Sequence, residues 1–212
     1  MMTTTKSVHL AVYDGLADWE AGLAVAQIRS GAFQPGPARY DVRTVGESRE
    51  PVRSMGGVLI TPDLTLDELA PADSALLIIP GGGGWEAEGG NAAFPRKARA
   101  FLEAGVPVAA ICGATFGLAK AGLLDDRDHT GADRGFLASS GYRGTTRYRD
   151  ADAVRDRGLI TAGPTDSTAF AREILAELGL MGPDVLDAWF RLFGRSDASA
   201  YGDLVRLTGA AA

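Results

Sequence analysis

The chain has 212 residues, 46% of them hydrophobic and 23% charged, which is material for one compact domain with at most a terminal extension. Its single cysteine excludes an intramolecular disulfide framework, and with two histidines it supplies too few ligands for a Cys/His zinc cluster. A balance of 21 basic against 27 acidic residues, net −6, with no separate basic run, argues against a nucleic-acid partner, and no apolar run approaches the roughly 20 residues of a membrane span.

The apolar stretch before Asp14, about six residues, is shorter than the 7 to 15 of a signal-peptide core, so a cytoplasmic chain with a reduced thiol is expected. Val8–Tyr13 followed by Asp14-Gly15 predicts a strand and turn, and residues 18–30 (DWEAGLAVAQIRS) predict a helix. A Gly/Pro-rich loop over 31–41 leads to a second strand at Tyr40–Val45. Val52–Ile60, with Gly56-Gly57 inside it, reads as a hairpin.

Ala75–Ile79 (ALLII) and Val106–Ile111 (VPVAAI) are apolar without alternation, as in parallel strands covered on both faces. A helix over 92–104, starting around Pro95, lies between them. Residues 114–124 predict another helix, 159–162 (LITA) a further buried strand, and 166–180 a helix capped by Asp or Ser. The Arg/Asp mixture RYRDADAVRDRG reads as a solvated face, and amphipathic segments follow at 184–193 and 198–207. The alternation predicts an α/β fold: a doubly wound, mostly parallel sheet with helices on both faces and ligands at the carboxyl ends of the strands. Residues 1–182 form that domain in this reading, and 183–212 a helical extension packed on it or on a dimer partner.

Three glycine-rich or acidic turns fall at strand ends. Cys112, in AAICGATFGLAKAG, sits between a buried strand and a helix, where small neighbours allow a sharp turn and a helix N-terminus favours a thiolate. On that ground a low thiol pKa is expected. Pro80 followed by Gly81–Gly84 has no Gly-Lys-Ser/Thr and so is not a phosphate loop; its Gly82 N–H, with that of Gly113, is placed to form an oxyanion hole. In the first turn, Asp18 and Glu20 each have a structural reading as helix-start acids and a chemical one as proton carriers beside a cysteine. Trp85-Glu86 reads either as pocket mouth or loop anchor, and His9 as a packed histidine.

In their order and spacing, Asp18-Trp-Glu20, Ile79-Pro-Gly-Gly82, Ala110-Ile-Cys112-Gly-Ala114 and Leu159-Ile-Thr-Ala162 resemble the ThiJ/PfpI family of the class I glutamine amidotransferase-like superfamily. The resemblance implies a flavodoxin-like fold, usually dimeric. Cys112 would be the nucleophile, Glu20 the acid that hydrogen-bonds it, and Gly82 and Gly113 the oxyanion positions. It departs from the peptidase pattern, whose histidine after the cysteine is replaced by Gly113, and from the glyoxalase pattern, whose later histidine position is Ala132. His129 lies three residues earlier; in an extended segment it falls on the opposite face, and from a loop it would reach the site, the other reading being a structural or surface role. An isonitrile-hydratase-like relative carries Thr where Gly113 stands, and residues 163–170 (GPTDSTAF) lack an amidotransferase His-x-Glu pair. The expectation is an enzyme without cofactor or metal that hydrates or hydrolyses a small-molecule substrate through Cys112. The alternative is a redox-responsive, chaperone-like or stress protein that oxidises Cys112 without turnover, and a third reading keeps the fold only as a dimeric interaction module.

Overall fold

A computed structural model of the chain describes residues 7–34 and 40–209. Part of the expected 31–41 loop, residues 35–39, lies outside the described residues. The chain opens with β1 (Ser7–Ala11) and α1 (Asp18–Ser30), which ends on Gly31 in the left-handed conformation, φ 69°. Next come β2 (Val42–Gly46) and the antiparallel pair β3 (Val52–Arg53) and β4 (Leu59–Ile60), with Val52 opposite Ile60 as the hairpin reading requires. A short strand β5 (Leu64–Thr65) precedes β6 (Ser74–Ile79), α2 (Ala93–Glu103), β7 (Val108–Ile111) and α3 (Gly113–Lys120). The last third holds α4 (Arg134–Ala138), β8 (Ala153–Asp156), β9 (Leu159–Ala162), α5 (Ser167–Glu177), α6 (Pro183–Arg195) and α7 (Ala200–Thr208).

Seven strands form one sheet in the order β5-β2-β1-β6-β7-β9-β8, parallel throughout except for the β8–β9 pair. The five longer parallel strands follow the flavodoxin-like order 2-1-3-4-5, whose direction of winding reverses between β1 and β6. Every residue of β7 and β9 is buried. Alternation then divides each strand between two cores. Leu76, Ile78 and Ala109 face Ile28, Phe170 and Trp189 of α1, α5 and α6, whereas Leu77, Ile79 and Ala110 face Phe94, Phe101 and Leu118 of α2 and α3.

Three local expectations are corrected. The segment read as a solvated face contains β8, an edge strand joined to β9 through Arg157 and Gly158, both at positive φ (46° and 77°). Two positive φ values make the primed turn suited to a two-residue hairpin, but Arg-Gly is not the usual Asn-Gly signal. Arg155 of this strand pairs with Glu173 and Glu177 of α5 at 3.2 and 2.9 Å. The helix expected over 114–124 ends at Lys120, and Asp166 precedes α5 without a side-chain capping bond.

Candidate active site

At the carboxyl end of β7 the chain turns into α3 through Cys112, at φ 57° and ψ −127°. A non-glycine residue held there stores on the order of 1–3 kcal/mol. Neighbouring bonds fix the elbow: Cys112 N–H donates to the Ala162 carbonyl at 3.0 Å, while its own carbonyl accepts from Thr115 N–H at 3.0 Å and Thr115 Oγ1 at 2.6 Å.

Three strand ends meet at this elbow. Glu20, in the first turn of α1, is fully buried, and its Oε2 accepts the Gly81 N–H at 2.5 Å. A Cβ at Gly81 would stand 2.6 Å from Cys112 Cβ, 2.7 Å from Gly113 N and 2.9 Å from Glu20 Oε2, so only glycine lets the three groups converge. Tyr13, just beyond β1, places its hydroxyl 2.7 Å from both the Pro80 and Gly81 carbonyls and accepts the Trp85 indole N–H at 2.9 Å. This anchor settles Trp85 as a buried ring packed on the elbow: a Cβ at Gly113 would lie 2.7 Å from Trp85 Cδ1.

The glycine turn is held flat against the start of α1. Ala17 N–H donates to Gly81 O and Gly83 N–H to Gly15 O, which leaves the Gly82 N–H between them outside the ladder. Gly82 has φ 138°, and a Cβ there would collide with the Gly15 carbonyl. The Gly113 N–H, first in its helix, has no intrahelical acceptor and lowers the pKa of the adjacent Cys112 thiol. Gly82, Gly113 and Cys112 line one cleft of about 210 Å3, together with Trp85, Glu86, Ala132 and Phe136.

Electrostatics bind Glu20 to Cys112. Burial raises the Glu20 carboxyl above its ordinary range, against hydrogen bonds from Cys112 and Gly81 that lower it. Burial, then the negative charge of Glu20 and its hydrogen bond, push the Cys112 thiol up to about 12, with the Gly113 N–H pulling the other way. A low thiol pKa is therefore not what the helix N-terminus alone produces. The pair titrates as a unit: once it carries one negative charge, the second ionisation is strongly resisted. Glu20 Oε1 is buried without a hydrogen-bond partner, while Oε2 is the oxygen at the Gly81 turn beside Cys112.

Of the other candidates, Asp18 does not cap α1. Its Oδ2 accepts the Gly56 N–H at 2.7 Å and pins the β3–β4 hairpin, which keeps the carboxyl below its ordinary range through bonds from Ser54 and Gly56. His129 has both ring nitrogens occupied, Nδ1 by the Arg127 carbonyl at 2.8 Å and Nε2 by the Tyr142 hydroxyl at 2.9 Å. His9 packs with Nδ1 2.8 Å from Ser74 Oγ, and burial lowers its pKa to about 4. Among the described residues no group of three or more His, Cys, Asp or Glu is arranged to hold a metal ion, and no helix is long and apolar enough to cross a membrane. Gly81, Tyr13 and Phe136 complete the site without a signal in the sequence reading; Tyr13 and Gly81 are 68 positions apart and meet only through the sheet.

A flavodoxin-like sheet with a cysteine raised on a strand-to-helix elbow, and a buried glutamate against it, defines the class of protein. The chain belongs to the DJ-1/PfpI family, whose model matches residues 6–177. It is 38% identical over 191 residues to a Bacillus subtilis protein named as the uncharacterized protease YoaZ, covering 89% of this chain and 90% of that one. It is 33% identical over 126 residues to Escherichia coli protein/nucleic acid deglycase 2, covering 58% and 72% of the two chains. Among solved structures, the thiJ/pfpI family protein from Bacillus anthracis superposes with a TM-score of 0.88 at 34% identity, over 97% of this chain and 98% of that one. The DJ-1 superfamily protein Atu0886 from Agrobacterium tumefaciens gives 0.80 at 35% identity, over 90% and 98%.

Proposed function

We propose that the chain is a cofactor-independent enzyme that hydrates or hydrolyses a small electrophilic substrate through Cys112. The observation that carries this reading is the buried Glu20 carboxyl set against a sulfur on a strained elbow, an arrangement costly to folding and suited to moving one proton. As Sγ forms its bond to the substrate carbon, the thiol proton passes to the Glu20 carboxylate. The electron pair of the broken π bond moves onto the substrate heteroatom, where the Gly82 and Gly113 N–H groups receive the charge. Glu20 then returns the proton to that heteroatom or to the leaving group, and attack by water releases the product and restores the thiol.

The relatives' names, protease and deglycase, support hydrolytic chemistry of this kind. Peptidase and amidotransferase activity fit less well: Gly113 stands where a peptidase has histidine, and His129 is engaged elsewhere. The redox reading, oxidation of Cys112 without turnover, stands second. The chemistry needs a reduced thiol, in keeping with a cytoplasmic protein. Residues 183–212 are read as an extension on the 1–182 domain, and the exposed Trp19, Met55, Val58 and Leu59 as part of a homodimer surface. A screen of α-oxoaldehydes, isonitriles and small amides tests the activity. Turnover by the native chain and none by Cys112→Ala is expected; turnover that survives the substitution overturns the mechanism.

A further inference from the structure

Trp85 also lines a second cleft, of about 250 Å3, whose other walls come from the turn around Gly89 and Gly90, the start of α2 and the end of α3. The seat for the indole is made by Gly117, where a Cβ would collide with the Trp85 ring and approach Pro95 Cγ to 3.4 Å. Arg96 from α2 and Lys120 from α3 line the same cleft, and no acidic side chain does.

Several cations elsewhere in this net-acidic chain are engaged: Arg149 with Asp128, Arg155 with Glu173 and Glu177, Arg191 with Asp197 and Asp203. The Arg96 and Lys120 side chains make no hydrogen bond, ion pair or ring contact among the described residues. Two uncompensated positive charges therefore border a largely apolar space walled by an indole and a proline. Their complement is a negative charge on a flat apolar body, and a planar carboxylate matches the guanidinium fork best. The volume lies just below the usual pocket range of about 300–1,000 Å3, which limits the body to a single small ring.

We propose that this cleft is a binding site for a small aromatic carboxylate, its ring against Trp85 and Pro95 and its carboxylate between Arg96 and Lys120. The site is distinct from the Cys112 cleft and stands whether or not Cys112 turns over a substrate. The test uses benzoate, titrated by calorimetry into the full chain after Cys112 has been blocked with iodoacetamide, so that the first cleft does not report. Saturable binding is expected, at least about tenfold tighter than that of benzamide, which has the ring without the charge, or of acetate, which has the charge without the ring. The double variant Arg96→Gln/Lys120→Gln, at two exposed positions, should keep the native melting temperature and lose benzoate affinity at least about tenfold. Absence of saturable benzoate binding at millimolar concentration, equal binding of benzamide, or undiminished binding by the double variant overturns the proposal.

Discussion

Trp85 occupies the space that a side chain at Gly113 would need, a Cβ there standing 2.7 Å from the ring edge. The missing histidine after the cysteine is therefore a packing consequence as well as a sequence difference. Because the indole is tied by its N–H to Tyr13, and Tyr13 to the Pro80 and Gly81 carbonyls, the ring cannot withdraw without releasing the turn that binds Glu20.

Gly113→Ala should accordingly destabilise the fold by about 1–3 kcal/mol, the usual cost of overpacking. Most of that cost should vanish in a Trp85→Leu background. Urea unfolding of the two single variants and the double variant measures the coupling. Additive effects would show that the elbow tolerates a methyl group with the ring in place.

Glu20→Gln should stabilise the protein at neutral pH. The folded-state pKa of Glu20 is raised, so the carboxyl's burial contributes stability below the ordinary value of 4.5 and loses it as pH rises toward the folded value. Gln keeps an acceptor for the Gly81 N–H and carries no charge. A gain of about 1 kcal/mol, read as roughly 2–4 °C in melting temperature at pH 7, should shrink to nothing below pH 4.5. A lower melting temperature than native at pH 7 would contradict the direction of the shift.

The Cys112 cleft should discriminate by charge. Glu86 lines it, Glu20 lies beneath, and no Lys, Arg or His does so among the described residues. Iodoacetamide should thus alkylate Cys112 faster than iodoacetate by a ratio exceeding that for glutathione. Glu86→Gln should bring the ratio down by about two- to fivefold, and added salt should narrow it. A native ratio equal to that of glutathione would remove Glu86 from substrate selection.

The buried parallel strands were legible because ALLII, VAAI and LITA have no polar face to show solvent. β8 was not, since Arg155 turns outward to ion pairs on α5, and the two-residue β5 is too short for a period. In the site, Cys112 and Glu20 announced themselves as reactive groups at strand ends. Gly81 did not stand out from its glycine neighbours, and Tyr13 read as the last residue of a strand. Their roles arise from approaches across the sheet, such as the 72 positions between Tyr13 and Trp85, which no local periodicity encodes. Asp18 and Glu20 looked alike in sequence; the helix turns one to the hairpin and the other into the core.

The proposed chemistry requires Cys112 and Glu20 to share one proton. Its most direct test is the rate of iodoacetamide alkylation between pH 6 and about 10 for the native chain and Glu20→Gln, with the single cysteine making the signal unambiguous. The native rate should be nearly flat across this range, because the singly charged pair supplies a constant fraction of thiolate and its second ionisation is pushed up to about 12. In Glu20→Gln the flat component should disappear and one ionisation, moved down from about 12 toward the ordinary range, should take over, so that the two profiles cross. Parallel profiles, with the variant offset from native by a constant factor, would contradict the shared proton and return Glu20 to the role of a buried helix-start acid.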